Sequence, residues 1–194
     1  MDQKGRSAKK AQQALGNKEP EELVKAPHTF VIYRGRLGKN AGELMRDFKK
    51  VMEPFTASDL KVMKRNSVKD FVSVAAMMNV THLVIFTKTK ISMYMKIARL
   101  PRGPTLTFRI QNYSLARDVL SSLRRQVTYA KQFEHHPLLV LNNFTGEGMQ
   151  LKLMASMFQN MYPSINVNKV MFSVNSGLCF FVITVCCCHL KPTV

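Results

Sequence analysis

The spacing of apolar residues predicts alternating strands and helices from residue 28 onward. The β-branched and aromatic run at 28–33 predicts a strand, and the glycine-containing segment at 34–39 predicts a basic loop after it. Apolar residues then recur at helical spacing from Asn40 until Pro54 ends the pattern. A strand, a basic loop and a helix are therefore expected in this order.

A second helix is predicted after residue 67. Ser67 can cap its first turn, Asp70 suits the positive end of the helix dipole, and Asn79 can adopt the left-handed conformation that ends it. The residues that share its apolar face are Val68, Phe71, Val72, Ala75 and Ala76. This helix should bury one side against the neighbouring strands.

Three more strands and a third helix are expected next. The run at 82–86 is apolar throughout and predicts a buried strand, whereas 91–97 and 105–110 alternate and predict strands with one wet face. Ser114 then caps a helix with the inner residues Leu115, Val119, Leu120, Leu123 and Val127. The opposite face of this helix carries Arg117, Arg124 and Lys131, with Arg125 at its margin.

A repeat with a period of 109 residues organises the chain. It places 139–141 on 30–32, the apolar positions of a later helix on those of the first helix, and Pro163 on Pro54. The pattern predicts a partial duplicated α/β domain over 27–170, with a first half at 28–132 and a second half at 137–170. The counterpart of the strand ending near Ile110 would lie near residue 219, so we expect the second half-repeat to be incomplete.

The two ends of the chain differ from this domain. Residues 1–26 are polar and charged and predict a disordered basic arm without a signal peptide. Residues 171–194 are apolar and contain all four cysteines. For this tail we favour a sequence without a folded role, and the alternative is a membrane anchor at 171–190.

The charge balance indicates a polyanionic partner. The chain has 29 Lys and Arg against 12 Asp and Glu, a formal charge of +17. Nucleic acid is the favoured partner, with a membrane surface as the alternative. A small basic membrane-associated protein is therefore the second functional hypothesis.

Several basic groups are candidates for phosphate binding. The loop at 33–40 lacks the residues of a Walker loop, but Arg34, Arg36 and Lys39 lie at a predicted helix N-terminus, where they suit an RNA phosphate. The segment at 100–109 presents Arg102 and Arg109 beside a hydroxyl-bearing strand. Further basic candidates are Lys61, Lys64, Arg65, Lys69, Arg117 and Arg124. For each of these groups an ordinary solvated surface is the alternative interpretation.

Enzymatic chemistry finds little support in the sequence. No acidic residue follows Glu147, and the five histidines show no paired metal-ligand spacing. The consecutive residues Cys186 to His189 cannot easily converge on a tetrahedral ion. We therefore expect no catalytic residues, metal, cofactor or small-molecule substrate.

Four segments carry a resemblance to a known family. They are Thr29-Phe-Val-Ile-Tyr-Arg-Gly35, Arg65-Asn-Ser-Val-Lys-Asp-Phe71, Thr81-His-Leu-Val-Ile-Phe86 and Arg99-Leu-Pro-Arg-Gly-Pro-Thr-Leu-Thr-Phe-Arg109. Together they resemble the Brix domain, and within it the Peter Pan (Ssf-type) subfamily. The likeness runs from about His28 to Val170, and residues 103–105 (Gly-Pro-Thr) are its most specific motif.

The resemblance implies an α/β fold similar to the anticodon-binding domains of some tRNA synthetases. It further implies a nucleolar protein that holds pre-rRNA during maturation of the large ribosomal subunit, with a partner assembly protein in a pre-ribosomal particle. By motif match it gives an RNA-binding role to Arg102, Gly103, Pro104, Thr105 and Arg109. The chain departs from the family pattern after Val170, where the strands of the second half and the basic C-terminal extension are not recognisable.

Overall fold

The computed structural model describes residues 25–63, 65–125, 133, 137–146, 148–163 and 180–184. Its elements are β1 (His28–Arg34), α1 (Lys39–Val51), α2 (Val68–Met77), β2 (Val80–Lys88), β3 (Met93–Arg99), β4 (Thr105–Ile110), α3 (Ala116–Ser122), β5 (Leu138–Asn142), α4 (Met149–Gln159) and β6 (Phe180–Thr184). Strands and helices are mixed along the chain as expected, and the predicted α/β class is confirmed.

The first four strands form one mixed sheet in the order β1-β2-β3-β4. Strands β1 and β2 are parallel and are joined through α1 and α2, whereas β3 and β4 are added as antiparallel hairpins. Parallel strands need such a crossover, whereas antiparallel neighbours need only short turns. The polar turns at 89–92 and 100–104 therefore lie at opposite ends of the sheet.

Helix α2 forms as its sequence predicts. The Ser67 hydroxyl accepts from the Asp70 N–H at 3.4 Å, and the Asp70 carboxylate accepts from the Ser67 N–H at 2.8 Å. This reciprocal capping box satisfies two of the N–H groups that an uncapped start leaves without partners. Asn79 has a φ of 53°, which confirms the left-handed stop before β2.

The sheet has two differently covered faces. On one face, α1 and α4 bury a core that includes Val31, Val84, Phe86, Ile97 and Phe158. On the other face, α2 packs through Phe71 and Ala75 on side chains of β1 and β2. Because α4 belongs to the second repeat and covers strands of the first, the two halves share one core.

The repeat predicts the beginning of the second half. A shift of 109 residues carries β1 and α1 onto 137–143 and 148–160, and the structure has β5 and α4 at 138–142 and 149–159. Strand β6 pairs in parallel with β5, from Leu138 opposite Phe180 to Asn142 opposite Thr184. This strand was not expected, because the apolar run around it lacks the alternation that marks a half-buried strand.

Helix α3 differs from its prediction. Its N-cap is Leu115 rather than Ser114, and the helix ends at Ser122, so Arg124 lies beyond it. Leu115 is buried, but the other predicted inner residues that the structure describes are exposed, namely Val119, Leu120 and Leu123. Tertiary contacts at the first turn position this helix, and of the described residues of its apolar stripe only Leu115 contributes to the core.

The arm at 1–24 and most of the apolar tail lie outside the described residues. Within the described parts of the chain, no helix is long and apolar enough to cross a membrane. Residues 180–184, in the middle of the segment considered as an anchor, form a strand paired with β5.

Candidate nucleic-acid interface

Cations from separate parts of the sequence meet at one end of the four-stranded sheet. Arg34 pairs with Thr87 at the end of β1, Lys88 is opposite Met93, and Arg109 is opposite Tyr94. Neighbouring strands lie about 4.8 Å apart. The register therefore places Arg34, Lys88 and Arg109 along the same end of the sheet.

The loop between β1 and α1 adds two more cations at this end. Gly35 has a φ of +84°, a conformation that glycine adopts without steric cost, and the exposed Arg36 and Lys39 follow it. A Cβ atom on Gly38 would lie 3.2 Å from the Lys88 Nζ, which shows how closely Lys88 approaches this loop. The loop candidates Arg34, Arg36 and Lys39 are thus brought beside β2.

The turn between β2 and β3 contributes residues that the sequence analysis missed. The Thr89 Oγ1 accepts from the Ser92 N–H at 3.1 Å and donates to the Ser92 carbonyl at 2.9 Å. This tight turn presents Lys90, and Lys88, Lys90, Arg109 and Tyr113 line one shallow depression. The sequence did contain a signal for these residues, since Lys88 and Lys90 lie at the end of one clearly predicted strand and in the turn before the next. We call the exposed set Arg34, Arg36, Lys39, Lys88, Lys90 and Arg109 the basic rim.

The candidates before α2 lie at the same end of the sheet. The Tyr33 hydroxyl donates to the Val62 carbonyl at 3.3 Å, which fastens the loop beside the end of β1. Lys61, Arg65 and Lys69 are exposed, and Lys64 lies outside the described residues. This cluster therefore extends the positive surface toward the start of α2.

The Gly-Pro-Thr motif lies at the opposite end of the sheet. The hairpin between β3 and β4 is closed by the Arg99 N–H, which donates to the Pro104 carbonyl at 3.1 Å, and by the Gly103 N–H, which donates to the Arg99 carbonyl at 3.0 Å. A Cβ on Gly103 would lie 2.5 Å from the Arg99 Cβ, so this close approach requires glycine. Arg102, Pro104 and Thr105 are exposed around it.

Arg102 and Arg109 therefore lie near opposite ends of the sheet. Strand β4 begins at Thr105, and Arg109 is its next-to-last residue. These two positions are four residues apart, which corresponds to about 14 Å along an extended strand. The structure places the two arginines toward opposite ends of β4, a separation that the sequence analysis did not specify. The hydroxyl-bearing outer face between them is confirmed, because Thr105, Thr107 and Arg109 are exposed.

Arg117 has a structural partner within the protein. Its guanidinium lies 3.0 Å from the Glu43 carboxylate and 3.3 Å from that of Asp118. The Ala116 N–H also donates to the Asp47 carboxylate at 3.0 Å. These contacts attach α3 to α1, so Arg117 is less available to an external phosphate than the rim residues. Arg124 is exposed after the end of α3.

The electrostatic surroundings of the rim favour an anion. No Asp or Glu occurs between Asp70 and Asp118, a stretch that contains β2, β3 and β4. The described side-chain hydrogen bonds and ion pairs that join two charged groups lie elsewhere, on α1 and α3. Lys88, Lys90 and Arg109 thus contribute positive charge at this end of the sheet without a carboxylate from the same stretch of sequence.

Two buried basic groups are structural. Burial lowers the pKa of Lys49, although the Asp59 carboxylate opposes this effect, and its Nζ donates to the Ser58 carbonyl at 3.3 Å. Burial, assisted by the charge of Arg99, lowers the pKa of His82 to about 4. The His82 Nδ1 lies 2.8 Å from the Thr81 hydroxyl. Neither group faces the rim.

Within the part of the chain that the structure describes, no three His, Cys, Asp or Glu residues are grouped so that they could hold a metal ion. The segment Cys186 to His189 lies outside that part.

Comparisons with known proteins identify the family of this chain. The Brix domain matches residues 35–184, fourteen residues beyond the limit expected at Val170 and including β6. The chain is 53% identical over 174 residues to mouse "Suppressor of SWI4 1 homolog", covering 88% of this chain and 37% of that protein. It is 49% identical over 152 residues to Drosophila melanogaster "Protein Peter pan", covering 78% of this chain and 33% of that protein.

A yeast relative carries a functional name. Over 162 residues the chain is 38% identical to "Ribosome biogenesis protein SSF1" of Saccharomyces cerevisiae, covering 76% of this chain and 36% of that protein. The chain thus spans about a third of the length of the curated relatives it matches. With the family match extending over most of its length, the chain belongs to the Brix domain family.

Proposed function

We propose that the chain is a ribosome biogenesis factor that binds pre-rRNA during assembly of the large ribosomal subunit. Family membership and the name of the yeast relative support the process. The formal charge of +17 supports an RNA partner. In this proposal the protein works in the nucleolus, within a pre-ribosomal particle and beside a partner assembly protein, and it has no catalytic role.

The basic rim is the observation that carries the RNA-binding part of the proposal. Strand ends and loops that are far apart in sequence place six exposed cations along one end of the sheet, and three of them, Lys88, Lys90 and Arg109, lie in a stretch of sequence without Asp or Glu. Arg and Lys at such a surface bind phosphates, and phosphate contacts provide most of the affinity for a nucleic acid without reading its sequence. The rim thus explains binding, whereas selection of pre-rRNA requires further contacts.

The Gly-Pro-Thr hairpin is proposed as a second contact. Its exposed Arg102 lies at the far end of β4 from the rim, so an RNA segment that contacts both must follow the length of the sheet. Gly103 keeps the hairpin closed against Arg99 and thereby holds Arg102 in place.

The proposal is tested by measuring binding of the full chain to structured pre-rRNA, with tRNA as competitor, between 50 and 200 mM salt. The rim variant Arg36→Gln/Lys90→Gln is compared with the control Lys50→Gln/Lys152→Gln, which removes the same charge from exposed positions on α1 and α4. Each phosphate contact contributes about one to the slope of log K against log salt, so the rim variant should reduce this slope by about 2. The control should change it little.

Equal effects of the two variants would contradict the proposed rim, since they would show that total charge alone determines binding. Equal affinity for tRNA and pre-rRNA would contradict selective binding by this chain.

A further inference from the structure

One half of the α2 side of the sheet is uncovered by the described residues. The apolar cluster under α2 takes its strand residues from β1 and β2, such as Phe30, Ile32, Leu83 and Ile85. No side chain of β3 or β4 joins that described cluster. The helix therefore covers two strands and leaves the adjacent two open.

The register identifies the residues on this uncovered surface. Met93, Ile97, Leu106 and Phe108 point into the core on the opposite side, and side chains alternate along a strand. The outward residues are consequently Tyr94, Lys96 and Ala98 of β3 and Arg109, Thr107 and Thr105 of β4, which pair in that order. We call these six residues the open face.

The open face has the chemistry of a single-stranded nucleic-acid site. It combines a half-buried tyrosine, two cations and two exposed threonine hydroxyls, without an acidic residue on the four strands that form the sheet. Among the described residues, no side-chain hydrogen bond or ion pair occupies Tyr94, Lys96, Thr107 or Arg109. A base can stack on an aromatic ring, while cations bind its backbone and hydroxyls bind ribose.

We propose that the open face binds single-stranded RNA. Tyr94 stacks on a base, Arg109 and Lys96 contact the phosphates on either side, and Thr107 contacts a ribose 2′-hydroxyl. Arg109 is directly opposite Tyr94, and Lys96 is directly opposite Thr107, about 7 Å further along the strands.

This inference rests on the proposed function, because it names the form of RNA that the protein receives. Arg109 belongs to both the basic rim and the open face, so a strand bound on the face continues into the rim. The positive charge fits either RNA or an acidic peptide, and the Tyr94 ring and the threonine hydroxyls favour RNA, because an acidic peptide would leave no role for a stacking ring beside two threonines.

The test uses the full chain and a labelled 12-nucleotide single-stranded RNA, the same sequence as a 12-base-pair RNA duplex, and the same sequence as single-stranded DNA. Tyr94→Ala should weaken single-stranded RNA binding about 5- to 150-fold, the range for loss of one stacked base, and Tyr94→Phe should retain binding. Duplex binding through the rim should change less than about twofold in both variants.

Two further variants test the remaining roles without removing the ring. Lys96→Gln should lower the salt slope for single-stranded RNA by about 1, whereas the control Lys50→Gln should not. Thr107→Val should reduce the preference for RNA over DNA, because it removes the partner of the 2′-hydroxyl. Circular dichroism establishes that each variant is folded.

The outcomes separate this inference from the function on which it rests. If the unaltered chain binds no RNA, both proposals fail. If it binds RNA, and the rim variant loses affinity while the Tyr94 and Lys96 variants do not, the rim remains and the open face is rejected. Equal loss of single-stranded and duplex binding in Tyr94→Ala also rejects it, since that pattern indicates general damage.

Discussion

His82 is a fully buried ionisable side chain whose neutral form belongs to the folded state. Its Nδ1 lies 2.8 Å from the Thr81 hydroxyl, while its Nε2 has no hydrogen-bond partner among the described residues. Desolvation and then the Arg99 charge lower its pKa from 6.5 to about 4. Protonation of His82 therefore destabilises the folded state.

Acidification should destabilise the protein through His82. Between pH 6.5 and about 4 the unfolded chain binds this proton and the folded chain does not, so the free energy of unfolding falls as the pH decreases through this window. The loss from this residue should reach about 3 kcal/mol and then level off. Urea unfolding followed at several pH values measures it.

The His82→Leu variant is the control, since it keeps a buried apolar side chain without a titratable group. Its unfolding free energy should change less over the same window. If the free energy of unfolding of His82→Leu fell as steeply with decreasing pH as that of the unaltered protein, groups other than His82 would cause the pH dependence.

The β3–β4 hairpin shows how one residue can determine the shape of an element. At Gly103 a Cβ would approach the Arg99 Cβ to 2.5 Å and the Arg99 carbonyl oxygen to 2.9 Å, and backbone atoms cannot easily move away. Gly103 of the Gly-Pro-Thr sequence therefore has a steric role in closing the hairpin, independent of any contact with RNA.

Gly103→Ala should destabilise the protein by about 1–3 kcal/mol, the usual cost of forcing an atom into an occupied space. Gly42→Ala is the matched control, because nothing lies within 4 Å of a Cβ there. Since Gly42 lies inside α1, alanine should stabilise the helix by about 0.5–1 kcal/mol. Thermal unfolding of both variants gives the comparison, and equal effects would contradict the steric argument.

Elements with local signals were predictable from sequence. Ser67 and Asp70 predict the start of α2, and alternation predicts β3 and β4, because these signals depend on neighbouring residues only. Helix α3 has a similar apolar stripe, yet its start is determined by Asp47, which lies 69 residues before Ala116. No local pattern contains that information.

The candidate interface was likewise predictable only where its residues belong to a local sequence pattern. Arg34, Arg36 and Lys39 were recognised from a loop before a helix, and the structure places them at one end of the sheet. Lys88 and Lys90 join them only through strand register, and the separation of Arg102 from Arg109 also follows from register. The RNA-binding role of these residues remains a prediction that the proposed binding measurements test.

At the scale of the whole molecule, α4 and the four-stranded sheet share one core, so we expect them to unfold together. The Phe158 ring of α4 lies 6.0 Å from the Phe108 ring of β4, and Met154, Met157 and Met161 enter the same core. The second repeat thus supplies the cover for strands of the first.

Phe158→Ala should lower the free energy of unfolding by about 3–5 kcal/mol, because it leaves a cavity between the two repeats. Leu153→Ala, at a position 39% exposed on the same helix, should cost less than about 1 kcal/mol. Hydrogen exchange should show the amides of β3 and β5 losing protection together. Independent unfolding of β5, with β3 still protected, would contradict a shared core.

The shared core also has a consequence for synthesis of the chain. Strand β4 ends at Ile110 and the α4 residue that packs on it is Phe158, so the ribosome must add 48 residues before the apolar side of β3 and β4 can be covered. At about 5–20 residues per second this takes about 2–10 s, far longer than a hairpin needs to form. Throughout that interval the nascent sheet exposes methionine and phenylalanine side chains, so we expect the unfinished chain to be more prone to aggregation than the chain that already contains α4.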